Sequence, residues 1–233
     1  MADRNESSSK SPIITTCTWD KESDCENCGI KGCLNCKWDK KLLQAFYMIA
    51  LPYFAFAFVG LIFTGFITGN WLFLIAYTAF YFFFFIIYEI RILCSHCPYY
   101  AEEGRTLHCL ANHGSPKIWS YHPGPMNLFE KVTFILGLVI LCAGPLVPEA
   151  YTILYAFERA PNDLLVLALS VIITLATLVF SLYFLVSLRR NTCPKCVNFS
   201  CPLNTAPKSV VDAYLENNPV MRKAWEASGY KLG

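Results

Sequence analysis

Four long apolar runs constrain this chain more than any other feature. Leu42–Thr68 contains no formal charge, and Trp71–Leu93 carries only Glu89 and Arg91 near its far end. Val132–Val147 is shorter and interrupted by Pro145, and Leu164–Leu188 is again uncharged. A bilayer core of about 30 Å needs roughly 20 apolar residues as helix. Three of the runs exceed that length. The third reaches it only by starting near Leu128, which places Glu130 and Lys131 at the headgroups, or by continuing past Pro148. With 55% hydrophobic and 15% charged residues among 233, the chain has a soluble domain's length without its polarity. The expected fold is an all-α integral membrane protein of four transmembrane helices, with cytoplasmic Cys-rich metal-binding segments and a short C-terminal helical cap.

Orientation follows from where the short flanks keep Lys and Arg. Lys37, Lys40 and Lys41 precede the first run, Arg91 and Lys131 bracket the second connection, and Arg189, Arg190 and Lys195 follow the fourth run. The opposite side holds Arg159 with Glu149, Glu158 and Asp163. Both termini and the 94–127 loop are therefore expected in the cytoplasm, in a cell (inner) membrane. No cleavable signal peptide is visible, because the first apolar run begins after residue 40. A net charge of +2, with the basic residues used as topology flanks, gives no reason to expect nucleic acid as a partner.

The polar segments divide into a tail (1–23) expected to be disordered over its Ser-rich first 16 residues, an N-terminal four-cysteine segment (24–38), the first two spans (39–93), a Cys/His loop (94–127), the last two spans (128–190) and a C-terminal Cys segment with amphipathic helices (191–233). Ten of the twelve cysteines lie in the three polar segments on the same membrane face. Cys25, Cys28, Cys33 and Cys36 precede the first span, Cys94, Cys97 and Cys109 follow the second, and Cys193, Cys196 and Cys201 follow the fourth. Cys-x-x-Cys occurs four times among them. Two cysteines three apart on a tight turn present both sulfurs to one ion or one cluster edge, and two such turns complete a four-thiolate shell. In a reducing cytoplasm such pairs read as metal-binding or catalytic rather than disulfide-bonded. These ten residues are the candidate metal ligands.

The Cys-Pro steps at Cys97, Cys193 and Cys201 favour an iron–sulfur cluster, with 4Fe–4S preferred, since proline after a ligand recurs in ferredoxin-type runs. The alternative is zinc, favoured by the knuckle-like Cys25-x-x-Cys28-Gly and by the absence of a Cys-x2-Cys-x2-Cys-x3-Cys-Pro run. In architecture alone the chain resembles membrane-bound ferredoxin-type redox subunits, which also have four spans and cytoplasmic cysteine clusters. That resemblance includes none of their cluster motif.

Single residues carry further expectations. The four histidines, His96, His108, His113 and His122, all fall in the 94–127 loop, as polar surface groups or extra ligands. Cys142 reads as a packing residue, Cys17 as a spectator, and Glu89 as a group that snorkels or pairs with Arg91 at the interface, with proton handling as the alternative. The aromatic stretch from Tyr81 to Phe85 reads as lipid-facing or packed bulk. Ser209 with Asp212 reads as a capping box, and Asn218, Pro219 and Gly229 delimit a last helix with Val220, Met221, Ala224 and Trp225 on one side. No span contains histidine, which excludes bis-histidine haem, and none carries a central acid or base, which argues against an ion-coupled transporter. The function expected is iron–sulfur electron transfer with a protein partner in a membrane redox complex. A zinc-structured membrane scaffold and a thiol–disulfide exchanger through Cys193-Pro-Lys-Cys196 are the alternatives, so catalysis is left open.

Overall fold

The computed structural model describes residues 16–159 and 163–233. The expected disorder of the Ser-rich N-terminus falls almost wholly on residues 1–15, outside the described residues. Among the described residues the regular structure is helical, apart from one isolated bridge between Thr106 and Pro116. Four helical stretches are long and apolar enough to cross a membrane: Lys40–Thr68, Leu72–His96, Leu128–Arg159 and Leu164–Lys195. Their exposed surface is rich in Leu, Ile, Val and Phe, as lipid contact requires.

Helix α1 (Lys40–Thr68) opens on Asp39, whose carboxylate accepts the Lys41 amide at 2.6 Å, and closes on Gly69 in the left-handed region at φ +71°. The positive φ explains the glycine there. After the Gly69-Asn70 turn, α2 (Leu72–Phe82) passes into a π-helical turn (Phe83–Tyr88) and then α3 (Glu89–Ile92). The wider π turn faces α4 (Leu128–Ala143) at Gly137, where a side chain would meet the Phe84 and Tyr88 rings at 2.8 and 2.9 Å. The aromatic stretch is thus divided: Phe82 and Phe83 are exposed, while Phe84 is buried.

Helix α4 begins with a capping box formed by Asn127 and Glu130. It breaks at Gly144-Pro145 and resumes as α5 (Leu146–Arg159), so the third span uses both extensions that its short apolar run left open. The break is stabilised by neighbours. Proline has no N–H to bond the carbonyl four residues back, and the orphaned Leu141 carbonyl accepts hydroxyls from Tyr53 and from Tyr77, the latter at 3.0 Å. Ser181 on α6 (Leu164–Ser187) donates to the next carbonyl, Cys142, at 3.2 Å. Cys142 itself is buried against α1 and Phe184, in the packing role expected. Helices α1, α5 and α6 form the centre of the bundle.

Glu149 corrects the reading of the spans. Counted above with the outer connection, it lies inside α5 and is 3% exposed, so the bundle does contain an acid. The objection to ion or proton handling based on its absence falls with it.

On the cysteine-bearing side, α7 (Lys208–Glu216) and α8 (Pro219–Ala227) pack with the loops into one core containing Leu34, Tyr99, Tyr100, Leu107, Tyr214 and Trp225. Asn218 does stand at the N-cap of α8, and Met221 and Trp225 are buried, whereas Val220 is exposed. The capping box at Ser209 does not form. Helix α7 starts two residues earlier, after Pro207, and Asp212 instead accepts Lys208 at 2.6 Å and the Tyr230 hydroxyl at 2.7 Å.

Candidate metal centre

The two juxtamembrane pairs have the same local construction. The second span passes through its π turn and α3 into a 3-10 turn at Cys94–His96, and the fourth passes through a π turn (Leu188–Thr192) into a 3-10 turn at Cys193–Lys195. In each pair the second cysteine donates its N–H to the carbonyl of the first, at 2.9 Å for Cys97 to Cys94 and 3.4 Å for Cys196 to Cys193. The second cysteines leave their turns with nearly equal dihedrals, φ −85°, ψ 135° for Cys97 and φ −81°, ψ 131° for Cys196. The termini of two rigid spans therefore present their thiol pairs alike.

Connections from elsewhere hold the pairs together. Asn198 donates to the Leu93 carbonyl at 3.0 Å, joining the two span ends, and Asn204 donates to the Cys196 and Asn198 carbonyls at 2.8 and 3.0 Å. The Asn35 amide bonds the Lys195 carbonyl at 2.8 Å, and the Tyr99 hydroxyl bonds the Asn35 carbonyl at 2.6 Å, so the N-terminal segment docks here too. Cys97 lies within electrostatic range of Cys196, Cys109 and Cys201, Cys94 within range of Cys109 and Cys97, and Cys193 within range of Cys196. Asn112 aims donors at two of these sulfurs, its amide at Cys109 at 3.0 Å and its Nδ2 at Cys94 at 3.4 Å.

All twelve cysteines are free thiols. Burial pushes the Cys97 and Cys196 thiols up from their ordinary value, and those of Cys109 and Cys201 up to about 12. Among the described residues, no three His, Cys, Asp or Glu side chains are disposed as a bound metal ion would hold them. The six thiols are neighbours without converging on one ion position.

Glu89 joins this group, which its sequence context did not suggest. Arg91 approaches Glu130 at 3.9 Å instead, and Glu89 turns inward, with Oε2 buried and without a hydrogen-bond partner. Cys94, Cys109 and Cys201 lie within its electrostatic range. The histidines are engaged elsewhere. His96 Nδ1 contacts the Gly124 carbonyl at 2.7 Å, His108 meets Glu102 at 2.7 Å, His113 stacks on Trp38 with centroids 5.0 Å apart, and His122 lies 5.6 Å from the His96 ring.

The N-terminal cysteines form a second, more open group. Cys25, Cys28 and Cys36 line a groove of about 850 Å³, and the thiol that accompanies them is Cys17. Cys33 is exposed and outside the groove lining. Cys17, expected to be a spectator, accepts a hydrogen bond from Asn218 Nδ2 at 3.1 Å and returns its own amide to Asn218 Oδ1 at 2.8 Å. Burial, with the neighbouring thiols Cys17, Cys28 and Cys25, pushes Cys36 up to about 12. Tyr99 lies within electrostatic range of both groups, of Cys36 on one side and of Cys97, Cys196 and Cys109 on the other.

Compared with known protein families, with curated proteins and with solved structures, the chain matches none.

Proposed function

We propose that this is a membrane-anchored metal-binding protein whose juxtamembrane thiols hold an iron–sulfur centre, serving electron transfer between a membrane partner and an enzyme on the cysteine-bearing face, which the Lys/Arg flanks assign to the cytoplasm. The observation that carries the reading is the matched pair of Cys-x-x-Cys turns at the ends of two spans. Segments about a hundred residues apart in sequence end there in the same backbone geometry, with Cys97 of one pair within electrostatic range of Cys196 of the other. Soft thiolate sets of this kind suit iron–sulfur clusters and zinc rather than hard cations. Cys94, Cys97, Cys193 and Cys196 would be the ligands, with Cys109 and Cys201 as further or alternate donors. Asn112 would donate hydrogen bonds to ligand sulfur, one of the levers on cluster potential. When bound, a cluster would supply one-electron chemistry, and the spans and loops would set its distance from the membrane.

The disulfide-exchange alternative through Cys193 and Cys196 requires an accessible thiolate, and Cys193 is buried. The zinc-scaffold reading keeps one observation in its favour: Gly32 at φ +79° gives the chain a tight turn between Cys28 and Cys33.

Anaerobic purification of the full-length protein, followed by metal and sulfide analysis and an absorption spectrum, separates these readings. Iron with acid-labile sulfide and a broad absorbance bleached by dithionite is the expected result. A colourless protein with stoichiometric zinc would move the function to the scaffold, because zinc has no redox chemistry. A protein free of both would overturn the metal reading altogether.

A further inference from the structure

The break in the third span brings a carboxyl group into the apolar bundle. Glu149 is 3% exposed and sits one turn beyond Pro145. Thr177 on α6 donates to its Oε1 at 3.0 Å, while Oε2 is buried with no hydrogen-bond partner. The α1 backbone closes over it at Gly60, where a Cβ would stand 2.0 Å from Oε1. One turn further along α5, Thr152 donates to Thr64 of α1 at 2.8 Å, so α1, α5 and α6 are joined at this depth through polar side chains.

Among the described residues nothing positive pairs with this group: no ion pair includes Glu149. The titratable side chains of the packed helices within its electrostatic range are the hydroxyls of Tyr53 on α1 and Tyr77 on α2, and α6 contributes the neutral Thr177. A carboxylate without a counter-ion in hydrocarbon is expensive, and acids retained at such places are commonly functional. Broken spans are also where membrane proteins build such sites. A metal cation would need several oxygens around it, and among the described residues Oε2 has no hydrogen-bond partner. A proton needs one oxygen.

We propose that Glu149 is an intramembrane proton-binding site. Its Oε1 is the carbonyl oxygen held by Thr177, and its Oε2 carries a proton taken from, and returned to, water at the membrane face where α5 ends. From Glu149 to Arg159 is ten residues of helix, on the order of 15 Å, whereas the path back to Leu128 is about twice that. The site does not depend on any metal at the cysteines.

Infrared spectroscopy of the full-length protein at neutral pH tests this, comparing wild type with Glu149→Gln. A protonated-carboxyl carbonyl band present in wild type and missing from the variant is expected, and that band should move to lower frequency in D2O as the proton exchanges. Thr177→Val provides a second readout should Glu149→Gln fold poorly: it keeps the acid and should raise its carbonyl frequency by removing the bond to Oε1. Identical carbonyl regions in wild type and Glu149→Gln would overturn the proposal. So would a band that sodium abolishes at constant pH, which would make this a metal-cation site, or one that D2O leaves unmoved, which would make Glu149 a sealed structural acid.

Discussion

Cys17 and Cys33 exchange the roles their spacing implies. Cys33 completes a regular Cys-x-x-Cys pair with Cys36, yet it is exposed and outside the groove, while the isolated Cys17 lies within it and is bonded by Asn218. Thiol reactivity follows thiolate fraction and access, and burial raises the Cys17 thiol despite its hydrogen bonds. Brief alkylation of the metal-free protein, read by peptide mass spectrometry, should therefore modify Cys33 well before Cys17. Equal rates would contradict the placement. The reason this exchange could not be read locally is that Asn218 is 201 residues away in the chain. Glu89 and Glu149 are similar cases. Their positions in the chain suggest membrane flanks, and what decides their roles is which neighbour turns toward them: Arg91 pairs with Glu130 rather than Glu89, and Thr177 reaches Glu149 from another helix. Asp212 shows the same limit at smaller range, since Lys208 and Tyr230 take the carboxylate that a capping box would have used.

At the scale of elements, the spans were legible because a charge-free run of membrane length has few other solutions, and the start of α8 was legible because its residue types are backbone requirements. The π turns were not. A π turn depends on what packs opposite, here Gly137 with room for Phe84 and Tyr88. The broken third span was half legible: Pro145 marks the interruption, but the hydroxyls that satisfy the Leu141 carbonyl come from α1 and α2. Tyr77→Phe should destabilise the bundle by about 0.5–1.5 kcal/mol, a typical net hydrogen bond. Removing the Tyr53 hydroxyl as well should cost more than the sum of the two single changes, because the carbonyl is then buried and unpaired. Denaturation of the single and double variants in detergent measures this, and strictly additive losses would mean that another donor reaches Leu141.

For the whole molecule, the four spans bring the three polar cysteine segments to one end of the bundle, and the N-terminal segment, the 94–127 loop, α7 and α8 share one core there. The flanking Lys and Arg predict that this end is cytoplasmic. A cysteine introduced at Glu158, exposed near the end of α5, should be labelled by an impermeant reagent in intact cells whose native thiols are protected, while one near the C-terminus should not. The reverse pattern would invert the topology and expose the thiols to an oxidising compartment. The central claim is that the thiol pairs from the second and fourth spans serve a single centre, and the most direct measurement is the metal content of Cys97→Ser and Cys196→Ser, each purified anaerobically beside the wild type. A shared centre predicts that either substitution removes the whole juxtamembrane complement of metal. If one variant loses its metal while the other retains a full centre, the two pairs act separately and the account is wrong.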